Sequence, residues 1–261
     1  MEELRVSLEN RAGRNMAGTL HIPDGEGPFP GALVVHGFRG NRNEPHITAV
    51  TDALAWAGLV ALRIDLTNNL GESDGSFHDL TVDQEVRDAQ DALGRLAVHA
   101  SVDGSRLGIT GHSLGGLVAA LAAAGDDRVK AVVTLSAVFD MAPRLQTLFG
   151  PDKIARWKEQ GEMEMDPPGS GLMLGYQFYQ SLLALDVPAT AGRLQAPLRI
   201  VHGEADTSVP VSDARLFEQH AGSAVKEVVL IDGADHGYSR QADLMKVCLY
   251  TADWFRQHLL V

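Results

Sequence analysis

Residues 106–124 read RLGITGHSLGGLVAALAAA, and this stretch decides the fold. The apolar run that ends at Thr110 predicts a buried strand, and the Ala- and Leu-rich run that begins at Leu114 predicts a helix. Between them lies a G-x-S-x-G pattern centred on Ser113. A sharp strand-to-helix turn lifts such a serine above the end of its strand, where the hydroxyl can attack a substrate. The pattern alone is weak in a chain with 27 glycines, but its position between a strand and a helix favours a nucleophile.

The rest of the chain continues this alternation of strand and helix. Apolar runs rich in Val, Ile and Leu predict strands that are buried on both faces, as in a parallel sheet, and only the first two strands have an antiparallel character. The sequence therefore predicts an α/β fold with a mostly parallel eight-stranded sheet and helices on both faces. The predicted strands are 4–10, 16–22, 32–37, 59–65, 106–111, 129–136, 197–203 and 226–232, and the predicted helices are 46–58, 81–100, 114–124, 211–221 and 241–260.

One segment breaks the alternation. Residues 140–195 carry five prolines and several aromatic residues, and their strand signal is poor. Aromatic residues favour a folded segment over a disordered linker. We therefore expect a small, mostly helical cap at 140–195, inserted into a single-domain core formed by 1–139 and 196–261.

A serine hydroxyl needs a general base, usually a histidine that a carboxylate holds in place. Asp206 follows the predicted strand 197–203, and His236 follows the last predicted strand. Both positions lie at the carboxyl edge of the sheet, together with Ser113. The order serine, acid, histidine fits this kind of sheet. We therefore expect Asp206 and His236 to complete a triad with Ser113.

Other assignments remain open. Glu204 lies two residues before Asp206, and Asp140 follows another strand, so either is an alternative acid. Asp232 and Asp235 lie close to the predicted base and are expected to be solvated loop residues. The order and spacing disfavour the remaining nearby histidines as the base, and we expect structural or flanking roles for His36, His112 and His202.

The tetrahedral intermediate of acyl transfer needs two hydrogen-bond donors. The backbone N–H of Leu114, directly after the nucleophile, is the first expected donor. The second is expected from the loop HGFRGNRNE (36–44), where the His-Gly pair bends the chain and allows Phe38 to turn its N–H inward. Arg39 in the same loop is either a ligand for acidic substrate groups or a solvated cation, and the sequence favours neither.

These motifs resemble those of the α/β-hydrolase superfamily over nearly the whole chain. Within it, the chain looks like bacterial carboxylesterases, including the cinnamoyl (feruloyl) esterase type. The segment before GESDG reads DLTNNL, where many relatives carry an Arg-Gly pair, so the contacts of that loop are not predicted. The matching segments are HGFRGNRNE (36–44), GESDGSFHDLT (71–81), GHSLGG (111–116), HGEADTSVP (202–210) and DGADHGY (232–238).

The resemblance implies a serine carboxylesterase with Ser113, Asp206 and His236 as its triad and Phe38 and Leu114 as its oxyanion donors. The short predicted cap favours small to medium esters, such as hydroxycinnamoyl esters, over long-chain triglycerides. The aromatic residues of the cap are expected either to line the substrate pocket or only to pack the cap onto the core. The predicted pocket residues are Trp157, Tyr176 and Tyr179.

Composition limits the alternatives. The 22 basic and 34 acidic residues give a formal net charge of −12, which argues against nucleic acid or an anionic membrane as a partner. The acidic N-terminus does not read as a signal peptide, and no apolar run approaches the length of a spanning helix, so a cytoplasmic location is expected. No metal-ligand spacing or nucleotide-binding motif occurs, so neither a metal nor another cofactor is expected. The oligomeric state is left open.

Three other activities remain as alternatives. An oligopeptidase-like serine peptidase would share this core and this order of triad residues. A lactone hydrolase would do so as well. A non-catalytic binding protein on the same fold is disfavoured, because the chain keeps a serine, an acid and a histidine in order together with an oxyanion loop.

Overall fold

The structure is a computed structural model, and it describes residues 1–165 and 168–260. Asp166 and Pro167, which fall in the predicted cap, and Val261, which ends the predicted core, lie outside the described residues. The strands are β1 (Glu2–Glu9), β2 (Asn15–Ile22), β3 (Phe29–Val35), β4 (Val60–Ile64), β5 (Val102–His112), β6 (Val129–Leu135), β7 (Glu162–Glu164), β8 (Met173–Gly175), β9 (Leu198–Gly203) and β10 (Lys226–Ile231). The helices are α1 (Pro45–Trp56), α2 (Val82–Ala97), α3 (Leu114–Ala123), α4 (Met141–Gln160), α5 (Gln177–Leu183), α6 (Val187–Ala191), α7 (Val211–His220) and α8 (Gln241–Leu259).

Eight strands form one sheet in the order β1-β2-β4-β3-β5-β6-β9-β10. The pairs β1–β2 and β2–β4 are antiparallel, and the other five pairs are parallel. The predicted α/β-hydrolase fold, with its mostly parallel eight-stranded sheet, is therefore confirmed. Because β3, β5, β9 and β10 run in the same direction, the loops that follow them all leave the sheet at its carboxyl edge.

Side chains of the central strands alternate between two cores, as the pleat of a strand requires. On β3, Leu33 and Val35 pack with residues of α2 and α3 on one face of the sheet. Ala32 and Val34 pack with residues of α1 and α8 on the other face. Burial on both faces explains why β3 reads as an uninterrupted apolar run.

The segment 140–195 contains α4, α5 and α6 and a small antiparallel pair formed by β7 and β8. The helices agree with the expectation for this segment, whereas its weak strand signal gave no indication of β7 and β8. Helix α4 is kinked at Gly150, which adopts φ 72° and ψ 164° and is followed by Pro151. The kink divides α4 into two arms, and the first arm follows directly after β6.

None of the helices in the described part of the chain combines the length and the apolar character that crossing a bilayer requires.

Candidate active site

Ser113 lies at the turn between β5 and α3, with φ 56° and ψ −121°. A residue with a side chain rarely adopts this backbone conformation, and it persists only where surrounding contacts hold it. The N–H of Ser113 donates to the carbonyl of Leu135 at the end of β6, at 2.9 Å, and its own carbonyl accepts from the N–H of Gly116 at 3.0 Å. The turn therefore fixes Ser113 at the carboxyl edge of the sheet and at the N-terminus of α3.

The glycines around Ser113 are explained by close backbone approaches. A Cβ atom on Gly111 would overlap the carbonyl of Gly115, and a Cβ atom on Gly115 would overlap the carbonyl of His36. On Gly116 it would lie 2.5 Å from Cβ of Ala137. The G-x-S-x-G-G spacing is thus the condition for bringing α3, β5 and the loop after β3 together at one point.

His236 and Asp206 form a direct pair. Nδ1 of His236 donates to Oδ2 of Asp206 at 2.7 Å, and the other carboxylate oxygen accepts from the N–H groups of Ser208 and Val209, both at 2.8 Å. Burial raises the pKa of the Asp206 carboxyl, but the hydrogen bonds from His236, Val209 and Ser208 outweigh it, so its pKa lies below the ordinary value. Asp206 is therefore held as an anion, and Nε2 of His236 is left as a proton acceptor.

The alternative acids lie in other environments. Glu204 is exposed to solvent, although it is two residues from Asp206. Asp140 caps α4 by accepting from the N–H of Ala142 at 3.0 Å. Asp235 accepts from the N–H of Ser239 at 2.8 Å. Among the carboxylates that the structure describes, Asp206 is the one that contacts the His236 ring.

Neighbouring histidines bond to the backbone. Nε2 of His112 donates to the carbonyl of His236 at 2.7 Å, and Nε2 of His202 donates to the carbonyl of Val209 at 3.0 Å. Nδ1 of His36 donates to the carbonyl of Gly37 at 2.9 Å, while its Nε2 accepts from the N–H of Leu66 at 3.1 Å. Burial lowers the pKa of both His36 and His112, which keeps these two rings neutral.

The loop 36–44 lies directly against Ser113. A Cβ atom on Gly37 would come within 3.1 Å of Cβ of Ser113, so the glycine allows this approach. Within the described residues, the N–H groups of Phe38 and Leu114 have no protein acceptor. Two free N–H groups on either side of a serine are the donors that an oxyanion requires.

A buried ion pair that the sequence did not reveal holds this loop in place. The N–H of Arg42 donates to Oδ1 of Asp65 at 2.6 Å, and its guanidinium bonds to Oδ2 of Asp65 and to Glu72. Oδ2 of Asp65 also accepts from the N–H of Glu72 at 2.9 Å. Asp65, directly after β4, therefore joins the loop 36–44 to the loop 66–80, whose contacts the sequence left open.

Ser113 and His236 open into one cavity of about 520 Å³, which we call the catalytic cavity. Its walls are largely apolar, and one wall is the first arm of α4. A second cavity of about 940 Å³ adjoins it and shares Arg144, Leu148 and Ser208. The catalytic cavity is lined by Phe38, Arg39, Leu70, Ser113, Val138, Met141, Arg144, Leu145, Leu148, Phe149, Met165, Ser208, Val209 and His236.

The three aromatic residues predicted for the pocket lie together, but outside the lining of the catalytic cavity. The ring centroids of Trp157 and Tyr176 are 5.6 Å apart, and those of Trp157 and Tyr179 are 6.0 Å apart. Trp157 is buried and donates from Nε1 to the carbonyl of Leu174 at 2.9 Å. This cluster packs α4, α5 and β8 together, which was the alternative interpretation of these residues.

In the described ranges, 1–165 and 168–260, no group of three or more His, Cys, Asp or Glu side chains is arranged to hold a metal ion.

Comparison with known proteins places this geometry in context. The sequence profile of the prolyl oligopeptidase family matches residues 67–261. The structure of Est1E from Butyrivibrio proteoclasticus with bound ferulic acid superposes with a TM-score of 0.85 and 26% identity, covering 98% of this chain and all of that one. The predicted resemblance to the α/β-hydrolase superfamily and its esterases is therefore confirmed.

Two curated relatives have other activities in their names. The human palmitoyl-protein thioesterase ABHD10, a mitochondrial protein, is 26% identical over 87% of this chain and 73% of its own length. The probable chloroplastic glutamyl endopeptidase of Arabidopsis thaliana is 23% identical over 99% of this chain, which spans 27% of that protein. Esterase, thioesterase and peptidase relatives are all hydrolases.

Proposed function

The chain belongs to the prolyl oligopeptidase family and is a serine hydrolase, and from this premise we propose that it is a carboxylesterase acting through an acyl-enzyme on Ser113. The observation that carries the proposal is the arrangement at the catalytic cavity. Ser113 on its strained turn and the His236–Asp206 pair at 2.7 Å line or border one largely apolar cavity. This arrangement supports the roles of Ser113 as nucleophile and His236 as base, with room for an acyl group beside them.

The proposed reaction has two halves. Nε2 of His236 takes the hydroxyl proton as Oγ of Ser113 attacks the ester carbonyl carbon, and the carbonyl oxygen becomes an oxyanion. The tetrahedral intermediate collapses, the bond to the alcohol oxygen breaks, and His236 returns the proton to the departing alcohol. Water then attacks the acyl-enzyme with the same histidine as base, which releases the acid and restores Ser113.

The other proposed residues act on charge. Asp206 holds Nδ1–H of His236 and stabilises the imidazolium that forms in each half-reaction. The N–H groups of Phe38 and Leu114 stabilise the oxyanion, and removing one such donor typically costs about 10²–10³ in rate. We keep Trp157, Tyr176 and Tyr179 in an indirect role, as the aromatic support behind the α4 wall.

The substrate class follows from the cavity. A volume of about 520 Å³ with apolar walls suits small to medium acyl groups. The similarity to Est1E, whose structure holds ferulic acid, supports hydroxycinnamoyl esters as a subclass. The proposed partner is thus a small-molecule ester, and the segment 140–195 is proposed to be the cap that shapes its site.

Peptide hydrolysis is the second candidate, because the family is that of prolyl oligopeptidase and one relative is a probable endopeptidase. The amine of an amide is a poorer leaving group than the alcohol of an ester, so an enzyme that cleaves peptides would also cleave activated esters. Peptidyl and aminoacyl amides therefore separate the two candidates, since only a peptidase turns them over.

The test is hydrolysis of p-nitrophenyl esters of increasing chain length, methyl ferulate and aminoacyl naphthylamides. The wild-type protein is compared with Ser113→Ala. Ser105→Ala is the matched control, because Ser105 is exposed near the opposite end of the same strand, β5. We expect turnover of short esters by the wild type and the control, and none by Ser113→Ala. A wild-type protein that is inactive on all esters, or one that prefers amides, would contradict the carboxylesterase proposal.

A further inference from the structure

The wall formed by α4 carries one charged residue. Met141, Arg144, Leu145 and Leu148 follow one another at helical spacings of three, four and seven residues, and all four line the catalytic cavity. This spacing places them on one face of the first arm of α4. Three of the four are apolar, so Arg144 is a single cation in an otherwise apolar helix face.

Arg144 differs from most arginines of this chain in having no acidic partner within the described residues. It is half-buried, and Asp213 acts on it only as a more distant charge, without an ion-pair contact. Many other arginines form ion pairs, for example Arg11 with Asp91, Arg128 with Asp126, and Arg240 with Asp243. A half-buried guanidinium has lost part of its hydration, so an anion that binds to it restores favourable contacts.

The described lining of the catalytic cavity differs in charge from the protein as a whole. The chain carries a formal net charge of −12, yet the described lining of the catalytic cavity includes Arg144 and no Asp or Glu. The adjoining cavity is lined by Arg144 together with Asp140 and Asp213. A cleft lined by one sign of charge concentrates ligands of the other sign. An anionic group in the catalytic cavity therefore meets the cation of Arg144 with no described acid in the same lining, although the protein surface on average repels anions.

We propose that the physiological substrate is an ester that also carries a carboxylate, and that Arg144 binds this carboxylate. The inference rests on the proposed esterase function and adds the substrate class. The planar guanidinium offers two parallel N–H donors to a carboxylate, which fixes the substrate in orientation as well as in place. Because Arg144 lines both the catalytic cavity and its neighbour, it can serve a carboxylate on the acyl part or on the alcohol part.

Two matched substrate pairs distinguish these two positions. On the acyl side, p-nitrophenyl hemiadipate is compared with p-nitrophenyl heptanoate, which replaces the carboxylate by an ethyl group. On the alcohol side, p-carboxyphenyl butanoate is compared with p-ethylphenyl butanoate. Each pair is measured with the wild type, Arg144→Met and Arg144→Lys. Arg156→Met is the control, because Arg156 is exposed on the second arm of α4 and lines neither cavity.

We expect Arg144→Met to lower kcat/KM for the charged member of at least one pair by about 10- to 100-fold, because a hydrogen bond to a charged group is lost. The neutral member is expected to change by less than about threefold. Arg144→Lys keeps the charge without the planar fork and should lose an intermediate part of the preference. The effect should weaken at high ionic strength, and Arg156→Met should leave all four values unchanged.

The outcomes separate the two proposals. If the wild type hydrolyses neutral esters and Arg144→Met changes both members of each pair equally, the carboxylate inference is wrong and the esterase function stands. Binding of adipate to Ser113→Ala, with and without Arg144→Met, measures the carboxylate site without any turnover. If the wild type hydrolyses none of the esters but adipate binding still depends on Arg144, the esterase function is contradicted and the carboxylate site is not. Adipate binding that is unaffected by Arg144→Met, together with equal changes for the two members of each substrate pair, would overturn the inference.

Discussion

The ring of Phe38 stacks on the ring of Phe178, with centroids 5.1 Å apart and an angle of 22° between the planes. Phe38 provides one of the two proposed oxyanion donors, and Phe178 lies on α5, within the segment 140–195. Phe77 contacts the same Phe38 ring at 5.5 Å. The proposed cap is therefore in contact with the side chain whose backbone N–H would meet the reacting carbonyl oxygen.

This contact predicts that Phe178→Leu lowers kcat more than it raises KM. The smaller side chain leaves the Phe38 ring with less support, so the N–H of Phe38 is positioned less well in the transition state. We expect a fall of about tenfold in kcat. The control is Phe255→Leu, since Phe255 is equally buried in the core on the other face of the sheet. Equal losses of activity in both variants, at matched melting temperatures, would show that Phe178 has only a packing role.

The pairing of His236 with Asp206 predicts that Asp206→Asn lowers kcat by about 10⁴, because an amide cannot stabilise the imidazolium and favours the other tautomer of the ring. Steady-state kinetics on a short p-nitrophenyl ester measure this loss. Glu204→Gln and Asp140→Asn remove the two alternative acids, and both should retain activity within about threefold. A larger loss in Asp140→Asn than in Asp206→Asn would assign the role of the acid to Asp140, at the N-terminus of α4.

A buried carboxyl on α2 predicts a pH-dependent stability that is unrelated to catalysis. Burial raises the pKa of Glu85 to about 8; Asn69 donates to its Oε1 at 2.7 Å, and its Oε2 has no partner among the described residues. The folded state holds the proton in a range where the unfolded state has released it, so stability falls as pH rises from the unfolded pKa near 4.5 towards 8.

The free energy of unfolding of the wild type is therefore expected to fall by about 2–3 kcal/mol between pH 6 and pH 8. In Glu85→Gln this fall should be absent. Urea unfolding at the two pH values measures it. Asp83→Asn, on the half-exposed ion pair with Arg87 in the same helix, is the control and should leave the pH dependence unchanged. The same slope in Glu85→Gln as in the wild type would show that another group titrates.

Two helical glycines predict opposite results for the same substitution. Gly115→Ala would place a Cβ atom onto the carbonyl of His36, which is backbone and cannot move aside. We expect a loss of at least about 3 kcal/mol or failure to fold. A Cβ atom added to Gly94 on α2 would meet no other atom within 4 Å, so Gly94→Ala should stabilise by about 0.4–1 kcal/mol. Melting temperatures of the two variants provide the comparison.

The sequence predicted those parts of the fold that depend on local pattern. Residue type and spacing were sufficient for most of β3, whose burial on both faces leaves a continuous apolar run, and for the turn at Ser113, where close backbone approaches require the glycines. For β5 they were sufficient only for the buried second half, because the first residues of the strand, 102–105, are mostly polar. The five helices with predicted boundaries, α1, α2, α3, α7 and α8, agree with the structure within about three residues, because the apolar spacing of each helix is local. The boundaries of α4, α5 and α6 were not predicted. Long-range contacts leave no such local pattern, so the pairing of Arg42 with Asp65 was not found.

In the catalytic cavity, too, local pattern predicted some residues and long-range packing decided the others. Phe38 and Leu114 were predicted because their positions follow from the loop and from the nucleophile. Arg144 was missed, although its spacing from Met141, Leu145 and Leu148 was visible, because spacing shows which side chains share a face and not what the face covers. Trp157, Tyr176 and Tyr179 were expected from their chemistry, but only packing decides whether an aromatic ring faces a cavity or another ring.

The bond from His112 to the carbonyl of His236 joins the nucleophile loop to the base loop through atoms that take no part in the proposed chemistry. His112 directly precedes Ser113, so the distance between the two loops is set by the main chain and one neutral ring. The reactive side chains can then be exchanged while the loops that present them stay in position. Such separation lets one scaffold acquire a new reaction, or lose its reaction altogether, without losing its shape.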